Sequence, residues 1–121
     1  MRTQQAGVNL TTDRAQGVSI VRVNETRLLY PLLSEFASSI SSLISAGEHR
    51  LLIDLSTVTY VDSAAIGCLM DLYREAAAAG GSLKLAGVQK RVETMLMMTG
   101  ARDVLEIHPD EPSAIRSFRP N

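Results

Sequence analysis

Asp62 and Ser63 join an apolar run to a long helical pattern in the stretch Thr59-Tyr60-Val61-Asp62-Ser63-Ala64-Ala65-Ile66-Gly67-Cys68-Leu69-Met70. A hydroxyl at such a junction supports two kinds of chemistry. The first is structural: Ser63 caps the helix, its oxygen accepting a backbone N–H two or three residues on, a contribution of about 1 kcal/mol. The second is regulatory. A helix start tolerates added negative charge through its free N–H groups and its macrodipole. Phosphate on Ser63 would therefore suit the fold, while a partner would meet about two extra negative charges beside Asp62.

Other chemistry lacks its frame. Gly-x-Ser-x-Gly is absent around Ser63, and no motif places a base beside it. His49 and His108 are far apart, with no cysteine or carboxylate pattern joining them into a metal site. The glycine-rich nucleotide signatures are also missing, and Gly80-Gly81 reads as a helix stop. Cys68 has no basic neighbour to activate its thiol. Among Met95, Met97 and Met98, Met95 joins Val92, Leu96 and Thr99 in a buried stripe, and Met97 faces outward with Glu93. The expectation is a protein without catalysis, metal or cofactor.

The totals fit a binding module. The 121 residues suit one compact domain spanning 1–121, and 45% apolar content supports a core. A net charge of −1 gives no electrostatic footprint for direct nucleic-acid binding. The lone Cys68 excludes an internal disulfide. No apolar run approaches the ~20 residues of a membrane span, and the first residues do not read as a signal peptide. A cytoplasmic location is expected.

The elements that must position Ser63 follow from periodicity. Val18 to Val23 reads as a strand, paired in a hairpin with Gly7 to Leu10 across a polar turn, Thr11 to Gly17. Pro31 to Ala46 reads as a helix with Leu32, Leu33, Phe36, Ile40, Leu43 and Ile44 inward and a serine-rich polar face. Arg50 to Leu55 is apolar on both faces, as a central strand of a parallel sheet should be. Helix Ser63 to Ala79, strand Ser82 to Ala86, helix Gln89 to Thr99, strand Val104 to Ile107 and a helix from Glu111 to Phe118 capped by Asp110 complete the chain. The order β-β-α-β-α-β-α-β-α implies an α/β, mostly parallel sheet. On the Ser63 helix, Ile66, Met70, Tyr73 and Ala77 form one stripe suited to the core. Ala65, Cys68, Leu72 and Ala76 form a second, which either widens the buried face or serves as a docking surface.

These residues also carry a resemblance. Leu52-Ile53-Asp54-Leu55-Ser56-x-Val58-x-Tyr60-Val61-Asp62-Ser63-Ala64-Ala65-Ile66-Gly67-x-Leu69 resembles the signature of STAS domains, found in bacterial anti-sigma factor antagonists, stressosome proteins and the tails of anion transporters. Gly81-x-Leu83-x-Leu85-x-Gly87-Val88 and Val92-x-x-Met95-Leu96-x-x-Thr99-Gly100 fit the same family, so the likeness runs from about 18 to 118. It implies the STAS fold, a four- to five-stranded sheet with helices mainly on one side. It further implies partner switching. The unmodified antagonist binds an anti-sigma factor that is also a GHKL-type serine kinase; phosphorylation of Ser63 releases it, and a PP2C-type phosphatase resets it. Asp62, Ser63, Ala64, Ala65, Cys68, Leu72 and Glu25 are the partner-binding residues expected on this reading. A STAS subunit of a transport complex or stressosome-type scaffold, with Ser63 only capping, is the alternative. The chain departs from the family at two places. Ala64-Ala65 stands where Ser-Gly or Thr-Gly is usual, putting a methyl group where a kinase backbone would approach. Val23-Asn24-Glu25-Thr26-Arg27-Leu28 lacks the usual Gly-x-Leu-Asp, leaving Glu25 as the substitute acid.

Overall fold

The computed structural model describes residues 7–118. Five strands form one sheet in the order β1-β2-β4-β6-β7: β1 Leu10–Ala15, β2 Val18–Val23, β4 Arg50–Asp54, β6 Ser82–Ala86 and β7 Ile107–His108. β1 and β2 are antiparallel, and every other neighbouring pair is parallel. Two further short strands, β3 Arg27–Leu28 and β5 Tyr60–Val61, pair in parallel outside that sheet. The helices are α1 Tyr30–Ser45, α2 Ser63–Ala78, α3 Lys90–Met98 and α4 Glu111–Ser117.

The strand order explains the layering. From β2 to β7 the sheet grows in one direction, each step crossing through one helix. Right-handed crossovers along a sheet that never reverses place α1, α2 and α3 on the same face. Phe36 and Ile40 of α1, Leu69 and Leu72 of α2, and Val92 and Leu96 of α3 accordingly share one core with Leu51, Ile53, Leu83 and Leu85. β4 lies between β2 and β6 and is buried on both faces, as its apolar run predicts. Leu52 points the other way, joining Val18, Ile20 and Ala86 beneath Ala114 and Ile115 of α4.

α4 is short, and polar clamps hold it over this second face. Arg22 on β2 forks onto Glu111, with Nε to Oε2 at 2.7 Å and Nη2 to Oε1 at 2.9 Å. Lys84 on β6 donates to the Ser117 hydroxyl at 2.9 Å. Asp110 caps the helix as expected, accepting from the Ser113 N–H at 2.9 Å. Asp54, at the end of β4, meets Glu111. Burial and this second carboxylate push the Asp54 carboxyl upward, while the Arg22 fork holds Glu111 down at about 2.

Three sequence expectations are corrected. The first strand is Leu10–Ala15 rather than Gly7 to Leu10, and the polar residues assigned to a turn are the strand itself. β1 is an edge strand whose central residues are exposed, so it lacks the apolar alternation of a covered strand. The turn is only Gln16-Gly17, both at positive φ, as a tight two-residue hairpin requires. The last strand is Ile107–His108 rather than Val104 to Ile107: a 3₁₀ turn at Ala101–Asp103 leads past exposed Val104, and pairing with β6 begins at Ile107. The pair β3–β5 is an addition. Each strand has two residues, too short for periodicity to register. In α3, Val92 and Leu96 are buried and Met97 is exposed as expected, but Thr99 is exposed and Met98 points outward too.

Two glycines give a stability test. α2 ends through Gly80 and Gly81, the Gly81 N–H returning to the Ala76 carbonyl at 2.9 Å. A Cβ on Gly81 would lie 2.9 Å from His49 Cα, against the backbone that aligns β4 with β6. Gly67 lies exposed within α2, and a Cβ there meets nothing. In denaturant unfolding, Gly81→Ala should lose about 1–3 kcal/mol by forced backbone shifts, and Gly67→Ala should gain about 0.4–1 kcal/mol.

The α4 clamp gives a pH test. Because the Glu111 pKa is depressed in the folded protein, its stabilisation is present above the unfolded value, near 4.5, and is lost as pH falls toward about 2. Stability followed by chemical denaturation should fall through that window in the native protein. The fall should be shallower in Glu111→Gln, which should be the less stable protein at neutral pH.

Candidate functional site

The site is assembled at the ends of β2 and β4. The chain leaves β2, forms β3 and enters α1; it leaves β4, forms β5 and enters α2. β3 and β5 join these two connections side by side. Arg27 lies opposite Tyr60 and Leu28 opposite Val61, with Leu28 and Val61 fully buried. Thr59 adds its N–H and hydroxyl to the Thr26 carbonyl, at 2.7 and 3.0 Å. The starts of α1 and α2 are thereby brought together.

Asp62 occupies the space between them. Its Oδ1 accepts the Ala65 N–H at 2.8 Å, which caps α2. Its Oδ2 accepts the Tyr30 N–H at 2.9 Å, the first residue of α1. Leu29, the residue before α1, offers no side-chain cap of its own. One carboxylate therefore caps two helices, one locally and one across 32 residues. This corrects the expectation that Ser63 is the cap. Asp62 has extended backbone angles, φ −97° and ψ 175°, suited to an N-cap, while Ser63 is already the first helical residue and is exposed.

The other expected contact residues separate. Ala64 is exposed beside Ser63. Ala65 and Leu72 are 0% and 2% exposed, so their stripe belongs to the core and not to a docking surface. The buried side of α2 is wide because the helix packs on the sheet and on α1 together, and Ala65, Ile66, Leu69, Leu72 and Ala76 are its buried residues. Ala77, expected in the core stripe, is exposed, and Met70 and Tyr73 are half-buried. The Ala65 methyl lies inside the fold and adds no bulk at the surface beside Ser63. Cys68 is half-buried on the wall of an open groove of about 590 Å³ between α1 and α2. Burial, with Asp71 adding to it, pushes its thiol pKa upward, so the thiolate is disfavoured. One oxygen of the Glu25 carboxylate, Oε2, accepts the Asn9 N–H at 2.7 Å, which ties this acid to the residue before β1.

His49 is exposed, and His108 on β7 pairs with Glu106 at 2.6 Å. Two features of the site had no signal in periodicity: the bond from Tyr30 to Asp62, and the pairing that places Arg27 and, from α3, Arg91 around the Tyr60 ring. Short apolar pairs just before each helix, Leu28-Leu29 and Tyr60-Val61, are the trace they leave in the sequence.

The shared cap separates the roles of Asp62 and Ser63. Asp62→Ala removes an acceptor from two helix starts and should cost about 2 kcal/mol, twice a typical cap. Ser63→Ala removes none and should stay within about 0.5 kcal/mol of the native protein, as exposed substitutions do. Thermal or denaturant unfolding of both variants measures the difference, and equal losses would return the cap to Ser63.

The STAS domain family model matches residues 9–114, so the likeness includes β1 as well as the region from β2 onward. An anti-sigma factor antagonist from Mycobacterium paratuberculosis superimposes with a TM-score of 0.83 at 18% identity, over 93% of this chain and 95% of that one. The phosphorylated form of the Bacillus cell fate determinant SpoIIAA gives 0.71 at 17% identity, over 92% and 100%. The murine anion transporter Slc26a9 gives 0.74 at 20% identity, over 90% of this chain but only 19% of the transporter. At such identities these structures share a fold, and the sequence match over residues 9–114 is what decides the family: the chain belongs to the STAS domains.

Proposed function

We propose that this STAS domain is a bacterial regulator of the anti-sigma factor antagonist kind, working in the cytoplasm by protein–protein binding and without catalysis of its own. Unmodified, it binds an anti-sigma factor that is also a GHKL-type serine kinase. Phosphorylation of Ser63 releases it, and a PP2C-type phosphatase restores it. No helix among the described residues is long and apolar enough to cross a membrane.

The observation that carries this reading is the division of labour between Asp62 and Ser63. Both oxygens of Asp62 are engaged by backbone N–H groups, which frees Ser63 from the cap and leaves it exposed at the first position of α2. A phosphate there adds roughly 1.5 to 2 negative charges at the positive end of the helix dipole. The fold accepts the charge, and the change falls on the surface a partner must meet. The Ala65 methyl is buried, so the family departure at that position leaves the approach to Ser63 open.

A second reading, a STAS subunit of a transport assembly or scaffold, draws on the likeness to the Slc26a9 transporter. Phosphosite mapping by mass spectrometry after incubation with the cognate kinase separates the two. Partner switching expects near-stoichiometric phosphate on Ser63, with the exposed Ser34 and Ser38 of α1 left unmodified. Ser63→Ala should then hold the partner persistently, and Ser63→Asp should bind poorly while remaining folded. Equal partner affinity before and after phosphorylation favours the assembly reading.

A further inference from the structure

Tyr60 lies three residues before Ser63 and carries two cations on one ring. The guanidinium carbons of Arg27 and Arg91 are each 5.2 Å from its centroid. The two positive charges are thus held within about a Debye length of each other, roughly 10 Å at 0.1 M salt. Lys90 is adjacent to Arg91 and, like Arg27 and Arg91, is exposed. Among the described residues, Arg14, Arg22, Arg74, Lys84 and Arg102 each pair with a carboxylate, whereas these three do not.

No nearby acid among the described residues forms an ion pair with these cations. Asp62 accepts from two backbone N–H groups, Glu25 accepts from Asn9, and Glu93 pairs with Arg102 at 3.2 Å. The cluster is also held in place by the fold. Arg27 is fixed opposite Tyr60 by the β3–β5 pairing. The start of α3 is tied to the loop after β4 by Gln89, whose side chain donates to the Ser56 carbonyl at 2.6 Å. Like charges kept together without a counter-ion repel one another, so an anion arriving there gains attraction to both and pays little to organise them.

We propose that Arg27 and Arg91 on the Tyr60 ring, with Lys90 the residue before Arg91, receive an acidic segment of the protein partner, with aspartate or glutamate carboxylates seated on the guanidinium groups. This proposal rests on the Ser63 reading for its regulation. Three peptide links separate Tyr60 from Ser63, so their Cα atoms are at most about 11 Å apart. A phosphate on Ser63 therefore repels the acidic segment and partly neutralises the cations that hold it. Nucleic acid is the less suited anion, since the chain carries a net charge of −1 and the cluster has only three cations.

The test titrates isotope-labelled protein with a capped hexaglutamate peptide, with hexalysine and an eight-nucleotide oligothymidylate as comparisons. Arginine Nε–H signals are followed by NMR. Arg27 and Arg91 should shift with hexaglutamate, well beyond Arg50 and Arg116, which are also without a carboxylate partner among the described residues. The double variant Arg27→Gln/Arg91→Gln should weaken binding by about five-fold or more, and phosphoserine placed genetically at position 63 should weaken it by about three-fold or more. Equal shifts at Arg50 and Arg116, or no binding, would overturn the docking pad and leave the Ser63 reading standing. Binding at the pad unaffected by the phosphoserine would overturn the coupling to Ser63. Tighter binding of oligothymidylate at the same arginines would replace the acidic protein segment by nucleic acid.

Discussion

The carboxylate of Asp62 is the interaction on which the candidate site depends. A helix start leaves several N–H groups without partners, and two helix starts placed together double the demand. Asp62 answers both with one group, bonding Ala65 on α2 and Tyr30 on α1. The arrangement works only because β3 and β5 hold the two approaches in register, with Leu28 and Val61 sealed beneath. Ser63 follows the cap and is placed outward as a consequence. Its exposure is produced by the neighbour that does the structural work.

α1 to α3 cover one face of the sheet, and α4 covers much of the apolar area on the other under the Arg22–Glu111 fork. The apolar part of α2 is spent in the core, since Ala65, Leu72 and Ala76 are buried against sheet and α1. What remains exposed near Ser63 is mixed: Tyr30, Ala64 and Gly67 lie on the groove between α1 and α2, and Arg27 stands opposite Tyr60. Charge is the property of this surface that a phosphate changes most.

The family departures acquire different weights once placed. Ala65 replaces a glycine, but its methyl group is absorbed by the core and is fully buried. Ala64 is exposed and removes a hydroxyl next to Ser63, a difference a partner would meet directly. Glu25 keeps its carboxylate but ties one oxygen of it to the Asn9 N–H before β1.

The sequence by itself determined the strands and helices that bury a long apolar pattern. The double-sided run at β4, the α1 stripe through Phe36 and Ile40, and the Gly80-Gly81 stop of α2 are local signals, strong because burial or a positive φ leaves few alternatives. It also identified Asp62-Ser63 as the junction of interest. Only the tertiary structure decided which of the two is the cap, because the second bond of Asp62 comes from Tyr30, distant along the chain. It likewise decided that the stripe through Ala65, Leu72 and Ala76 is the more deeply buried of the two on α2, since the helix packs on the sheet and on α1 together. The edge strand β1 escaped periodicity because its central residues are exposed, and the two-residue β3 and β5 because they are fixed by backbone pairing between distant segments, which side-chain pattern does not record.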